Sequence, residues 1–445
     1  MNVLFLTSPV PRHAPMSTDE KRPPLGIGFM ISVLRKLGHK VTFSDEYLRP
    51  TNIVESGYLE KKRVDLVGIY ANTICFAGTL DLLRRIQLRR ESGQWHGQIA
   101  LGGPHTSVGM QSIPEYVDWV VVGEGEHTIV DIVEGRAHGR VLRGRAVDDL
   151  DTLPFPAWED FIHLPYPWSD RFADESPVYP MNTSRGCPFN CTFCSVNAVW
   201  GRGWRAMSPE RVVAELEFLQ RYYGVRTVYF REDHFTLDKK RTAAFCEILL
   251  KRKIAIDWLC ESRVDGIEDA ELLALMRRSG CQLFYLGVES GSQRMLDRFQ
   301  KKITVEQVER TCALVKQAGI RIYASFIVGV PGETQEDVRL TKKLIDRIQP
   351  DFVGMNPYIG LPGSALYEEV RSKGQYEYMN EFGVLYVTGH NRRIREYWGD
   401  DPRWLIPGSD SVRTLAKRAG QKLLHTDLAT AARSLRRKAG RLLSR

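Results

Sequence analysis

Short apolar runs alternate with amphipathic stretches along most of the chain. Ahead of Asp148, the runs Val3 to Leu6, Lys40 to Phe43, Leu66 to Tyr70, Ile99 to Leu101 and Trp119 to Val122 read as strands. Helical patterns lie between them, among them Leu80 to Arg90 and Gly28 to Leu37, the latter with Ile31, Leu34 and Leu37 recurring on one face. Such alternation predicts an α/β fold beginning with a doubly wound, parallel (Rossmann-like) sheet. Sheets of this kind bind ligands beyond the carboxyl ends of their strands. Pro23-Pro24-Leu25-Gly26, Asn72-Thr73, Gly102-Gly103-Pro104-His105 and Gly123-Glu124-Gly125-Glu126 fall there.

From Asp148 to Glu175 the chain is rich in Pro, Asp and aromatics, as in Leu153-Pro154-Phe155-Pro156-Ala157-Trp158, and loses its period. Its apolar side chains need somewhere to pack, so it reads as a linker wrapped between domains rather than a free tether. The alternation resumes for six units with strands Val178 to Asn182, Thr227 to Phe230, Asp257 to Cys260, Leu283 to Val288, Arg321 to Val328 and Phe352 to Tyr358. Helical runs such as Pro209 to Tyr222, Arg241 to Lys251, Asp269 to Arg278 and Val305 to Ala318 follow the earlier strands. Six parallel strands with crossover helices predict a partial (β/α)6 TIM-type barrel, with its chemistry at the strands' C-terminal ends. Beyond Tyr367 the alternation stops, and a mostly helical C-terminal extension is expected.

At the first of these ends stands Ser184-Arg185-Gly186-Cys187-Pro188-Phe189-Asn190-Cys191-Thr192-Phe193-Cys194-Ser195. Three thiolates on one tight loop repel one another unless a cation takes up their charge. Zinc would need a fourth protein ligand, and no Cys or His lies nearby at the usual paired spacing. Three ligands point instead to a cubane with one iron left open. The competing readings are a structural zinc knuckle and buried unpaired thiols. The other five cysteines, Cys75, Cys246, Cys260, Cys281 and Cys312, are scattered singly through apolar segments and read as reduced core thiols.

This CxxxCxxC loop in a repeated β/α chain resembles the radical S-adenosylmethionine (SAM) superfamily. The resemblance implies a [4Fe-4S] cluster on Cys187, Cys191 and Cys194, with SAM chelating the open iron. At the strand ends it implies SAM contacts from Phe193, Glu232, Arg263, Glu289, Ser290, Ile327 and Gly329, the last two within Phe326-Ile327-Val328-Gly329-Val330-Pro331-Gly332-Glu333. In Arg231-Glu232-Asp233-His234-Phe235 the carboxylates can reach a SAM ammonium or a substrate proton, or simply form a salt-bridged strand end; His234 is a candidate proton relay.

The N-terminal loops resemble the cobalamin-binding domain that precedes this core in one subfamily. That implies cobalamin against Pro24, Leu25, Gly26, Asn72, Thr73, Gly102, Gly103, Gly123 and Glu124. No Asp-x-His-x-x-Gly loop occurs, so the resemblance implies a cobalt lower face without histidine, with Asn72-Thr73-Ile74 as the candidate to face it. The segment holds a single cysteine, Cys75, where related methylthiotransferases carry a second cluster, which argues against sulfur insertion. The division expected is 1–147 cobalamin-binding domain, 148–176 linker, 177–367 radical SAM core, 368–410 substrate-side region and 411–445 basic tail.

The activity implied is reductive cleavage of SAM to a 5′-deoxyadenosyl radical and methylation of an unactivated carbon in a specialised metabolite, lipid or tetrapyrrole. The partners expected are that small-molecule or lipid substrate and an electron donor such as flavodoxin or ferredoxin. A cobalamin-dependent ring-forming reaction is the enzymatic alternative, and a cobalamin sensor the non-enzymatic one. The sequence singles out no catalytic side chain.

Charge changes the picture only at the end of the chain. The 62 Lys and Arg against 54 Asp and Glu give +8. From Ser411 to Arg445, ten basic residues face the single Asp427, so +9 sits in the tail and about −1 in all that precedes it. The leucines and alanines of the tail recur at helical spacing. Three readings compete, a solvated helix docked on the barrel, a membrane-surface helix attracted to anionic lipid and a nucleic-acid arm, the last the weakest because nothing aromatic is interleaved for base stacking. No apolar run reaches the ~18 residues of a membrane span, and Met1 to Pro9 reads as a strand rather than a signal peptide. A cytoplasmic protein is expected, with peripheral contact at the inner face of the membrane as the tail's second reading.

Overall fold

The computed structural model describes residues 1–9, 21–49, 51–168, 170, 172–387 and Trp398. Its first sheet joins β1 (Asn2–Thr7), β2 (Lys40–Ser44), β3 (Leu66–Tyr70), β4 (Gln98–Gly102), β5 (Trp119–Val122) and β6 (Val141–Arg143), all parallel, in the order β2-β1-β3-β4-β5-β6. The reversal of order beside β1 is the switch point of a doubly wound sheet. The sequence pattern leaves out β6, which is three residues long at the sheet edge and has little apolar surface to bury.

The second sheet is also wholly parallel: β7 (Val178–Met181), β10 (Thr227–Phe230), β11 (Asp257–Arg263), β12 (Cys281–Glu289), β13 (Arg321–Val328) and β14 (Phe352–Pro357), lying side by side in chain order. This is the open six-unit barrel. Between β7 and β10 a short antiparallel ladder, β8 (Ser184–Arg185) with β9 (Arg205–Ala206), brackets the cysteine loop. Helices form where capping is local. Ser208 accepts from Arg211 N ahead of Pro209–Tyr223, with Pro at its start and left-handed Gly224 at its end, and a Thr304/Gln307 capping box opens Val305–Gln317. Along β13, Ile322, Ala324, Phe326 and Val328 are buried, whereas Tyr323 and Ser325 line an interior cavity.

Residues 148–176 wedge between the two sheets. Trp158 and Phe161 are fully buried in the same core as the barrel helices, Trp158 Nε1 donates to Glu215 (2.9 Å), and Arg35 binds Asp160 across the junction. The expected mostly helical C-terminal extension falls largely outside the described residues, which here reach Val387 and Trp398. After the helix Ala365–Ser372, the described residues form β16 (Tyr376–Met379) and β17 (Leu385–Val387), which pair antiparallel, and β17 pairs antiparallel on its other side with β15 (Ile359–Gly360). Asn380 Oδ1 accepts from Phe382 N and Val384 N, which closes a hairpin between runs too short and too aromatic for helix. Residues 411–445 lie outside the described residues. Among the described residues no helix is long and apolar enough to cross a membrane.

Candidate functional site

The cysteine loop leaves β8 through Gly186, whose φ is +83° and where a Cβ would stand 2.0 Å from the Gly203 carbonyl oxygen. Thr192 pins the loop from both sides: its N–H and hydroxyl donate to Phe299 O and Arg298 O, both at 2.9 Å, and its carbonyl accepts from Leu366 N at 2.7 Å. Cys187, Cys191 and Cys194 are free thiols on one cavity of about 670 Å³. Burial raises Cys187 and pushes Cys194 up to about 11, with Asp233 and the neighbouring thiols adding to both. Three thiolates there require a cation. Among the described residues no three or more His, Cys, Asp or Glu converge on a single ion. A cubane does not ask for that, since each thiolate takes a different iron.

Phe193, Arg263 and Glu289 line this cavity beside the cysteines. Arg263 is held by Asp265 (2.9 Å), lies over the Phe189 ring (3.7 Å) and donates to Cys191 Sγ (3.4 Å). Glu289 ends β12 in the left-handed region, φ +70°, at a break in the β12–β13 register, and pairs with buried Lys301 at 2.8 Å. A non-glycine residue in that region is strained, which the ion pair helps to hold.

Glu232, Ser290, Ile327 and Gly329 do not line this cavity, and Glu232 lines the second one described below. Glu232 accepts from the backbone N–H groups of Thr183 and Ser184 and from the Thr183 hydroxyl (3.1 Å), tying β10 to the approach of the cysteine loop. Ser290 Oγ accepts from Ser292 N, and Gly329 N donates to Glu333 (2.8 Å). Ile327 packs on the cluster around Phe299 and Tyr358. His234 is buried and lines neither this cavity nor the second one, and burial lowers it to about 4.

The second cavity, about 570 Å³, lies between the carboxyl end of the first sheet and the barrel. Pro24, Leu25, Gly26, Gly102, Gly103, Gly123 and Glu124 all line it. Glycines at the ends of β4 and β5 leave a floor without side chains, which suits a broad, flat ligand; at Gly103, φ +105°, a Cβ would meet Ala71 O at 2.5 Å. Gly102 differs, since a Cβ there meets only Val121 at 3.7 Å. Gly102→Val is therefore expected to leave the fold intact while filling the cavity, lowering cobalamin affinity by about tenfold or more; titration of the purified variant with cobalamin, followed by absorbance, checks this.

Asn72 and Thr73 do not line that cavity: Asn72 Oδ1 accepts from Cys75 N (2.9 Å), and Thr73 Oγ1 meets His105 Nδ1 (3.1 Å). His105 is fully buried against Phe76, with Nε2 on Ser112 Oγ at 2.8 Å, and burial lowers it to about 4. The unfolded chain takes up its proton near pH 6.5 and the folded one near 4, so stability present above 6.5 is lost as the pH falls between them. Unfolding free energies from urea titrations at pH 7.5 and 5.5 should differ by roughly 1 kcal/mol more in the parent than in His105→Gln.

Glu124 lines the cavity but spends its carboxylate on joining the two halves. It accepts from Arg185 (2.6 Å), Arg205 and Val147 N (3.1 Å), while Arg185 also binds Glu126 (2.6 Å). Burial alone would raise it; hydrogen bonding to Arg205 and the charge of Arg185 hold it below the usual carboxylate value.

The two cavities meet, for Arg22, Arg231, Asp233 and Glu261 line both. Burial and then Glu232 push Asp233 up to about 6. Glu261 is raised by burial and accepts from Tyr229 at 2.7 Å; Asp170 accepts from Tyr285 at 2.6 Å. Sequence reasoning missed the tyrosines and Lys301. Period-two spacing along β12 and β13, with Tyr285 and Gly287 beside Tyr323 and Ser325, carries the signal for the inner face. Arg22, Asp170 and Lys301 sit outside strands and leave no such signal.

Models of the radical SAM superfamily and of the B12 binding domain match residues 181–345 and 17–133. An uncharacterised methyltransferase of Pyrococcus horikoshii is 30% identical over 392 residues, covering 83% of either chain. The anaerobic magnesium-protoporphyrin IX monomethyl ester cyclase of Rubrivivax gelatinosus is 30% identical over 386 residues, 79% of this chain and 67% of that one. Among solved structures, the cobalamin-dependent SAM radical enzyme OxsB with aqua-cobalamin bound superposes with a TM-score of 0.67 at 21% identity, over 78% of this chain and 52% of the other, and shows the shared fold. A cysteine triad on one cavity, a glycine-floored cavity beside it and these relatives agree: the chain belongs to the radical SAM enzymes that carry an N-terminal B12-binding domain, with a [4Fe-4S] cluster, SAM and cobalamin as its cofactors.

Proposed function

We propose that this protein transfers a methyl group to an unactivated carbon of a small metabolite, lipid or tetrapyrrole. One observation carries the reading: the thiol-lined cavity and the glycine-floored one lie side by side, with Arg22, Arg231, Asp233 and Glu261 lining both. When bound, the cluster and SAM supply hydrogen abstraction by a 5′-deoxyadenosyl radical, and cobalamin supplies a transferable methyl group. On this reading Cys187, Cys191 and Cys194 hold the cluster, and Phe193, Arg263 and Glu289 border SAM. Pro24, Leu25, Gly26, Gly102, Gly103 and Gly123 seat cobalamin. Lys301 neutralises Glu289 and keeps it in place. The buried walls keep water from the reacting carbon. Residues 1–147 and 177–367 are then the two cofactor domains, and the reductant is a protein such as flavodoxin or ferredoxin.

The cyclase relative keeps a second reading open, and one assay separates the two. Incubation of the reduced holoenzyme with methyl-deuterated SAM and substrate, followed by mass spectrometry, is expected to show label in the product. An unlabelled, cyclised or oxidised product would overturn methyl transfer.

A further inference from the structure

We infer that Arg263 sets the reduction potential of the iron-sulfur cluster: its guanidinium donates to the Cys191 sulfur and makes the cluster easier to reduce. This rests on the cluster's ligation by Cys187, Cys191 and Cys194 and on nothing that the methyl-transfer reading adds.

The guanidinium is fixed before it reaches the sulfur. Arg263 is the last residue of β11, and the single turn Val264–Gly266 that follows brings Asp265 back beside it. Nε and Nη2 form a fork on the Asp265 carboxylate at 2.9 and 3.0 Å, and Nη2 also donates to the Lys301 carbonyl oxygen at 2.5 Å. The guanidinium carbon stands 3.7 Å from the centroid of the Phe189 ring, which belongs to the cysteine loop itself. A rigid planar group held in this way keeps its remaining arm in one place, and Nη1 reaches Cys191 Sγ at 3.4 Å. Arg263 is only 4% exposed, so little water competes for that donor. Among the described residues no other side chain donates to any of the three sulfurs.

The consequence follows from where charge is added. Reduction brings one electron from a one-electron donor, dithionite or a flavodoxin-type protein, to a cluster that already carries three thiolates; no atom or proton moves with it. An N–H aimed at a ligand sulfur, with a cation behind it, stabilises the more negative form and so raises the potential. Burial strengthens the effect, because the local dielectric is low. Asp265 offsets part of the arginine's charge, so the directed N–H carries a share of the effect that a cation placed at random would not supply.

The test is an anaerobic redox titration of the full-length, cluster-loaded chain, with the reduced cluster followed by electron paramagnetic resonance. SAM is left out, so that a lost SAM contact does not move the reading. At the parent's midpoint potential, Arg263→Met is expected to lower the ratio of reduced to oxidised cluster about tenfold, a shift of about 59 mV to more negative potential for one electron. Arg263→Lys keeps the charge without the fork and should fall between the two, which keeps the test open if the methionine variant binds no iron. A purely structural role would lower the amount of cluster and leave the midpoint of the clusters that assemble in place. An unmoved midpoint in each variant that binds iron, a shift to more positive potential, or loss of cluster from both variants would overturn the assignment. Failure of label transfer from methyl-deuterated SAM leaves it standing, since the titration holds neither SAM nor substrate; a parent without a reducible cluster would overturn the ligation and this assignment together.

Discussion

Replacing Cys187, Cys191 and Cys194 together by alanine is expected to abolish the iron-sulfur absorbance of anaerobically reconstituted protein, and with it all 5′-deoxyadenosine. Each single replacement should lower SAM cleavage by about a thousandfold or more, because the missing thiolate leaves an iron without its protein ligand and no nearby group takes its place. The expectation follows from the loop. Thr192 fixes its backbone to Arg298 and Phe299, so the remaining thiols cannot shift to compensate. The buried Cys246, Cys260, Cys281 and Cys312 belong to the barrel core and do not line the cavity. Iron content and the yield of 5′-deoxyadenosine under reductant are the measurements. A triple variant with undiminished absorbance would show that the cluster is held elsewhere.

The second large effect lies at Glu124. Its side chain is only 5% exposed and carries Arg185 and Arg205, themselves 10% and 18% exposed. Glu124→Ala leaves Arg185 with Glu126 alone and Arg205 with a backbone carbonyl. Removing one partner from a buried ion pair with nothing left to match the charge costs about 3–5 kcal/mol, and Glu126 and the Val147 carbonyl offset part of that here. The loss falls on the contact between the two sheets, so denaturant unfolding should begin earlier and cobalamin should be released with it. Glu124→Gln keeps one acceptor and should recover part of the loss. Equal stability of parent and alanine variant would show that the clamp does not hold the halves together.

Legibility followed the physics of each signal. The strands β3, β5 and β13 were readable to the residue because a parallel strand covered on both faces must be a continuous or alternating apolar run. The cysteine triad was legible for a similar reason, since three soft ligands at close spacing have few other uses. Glu232 and Ser290 show the opposite case. Both occupy the strand-end positions that the resemblance points to, and their burial is plain, but a sequence does not say whether a buried polar atom faces a ligand or a backbone N–H. Here Glu232 caps the approach to the loop and Ser290 serves Ser292. The hairpin of β16 and β17 was hidden behind runs of four and three residues, too short for a period to declare itself. Arg22 and Asp170 reach the junction from segments without regular structure, and only the folded chain brings them beside Arg231 and Tyr285.

The central claim is that the three thiolates leave one iron open to SAM. Electron paramagnetic resonance of the dithionite-reduced protein, recorded before and after SAM is added, tests it most directly. The account predicts a reduced [4Fe-4S] signal whose g values change when SAM binds; a signal identical in both spectra, or none, would contradict it.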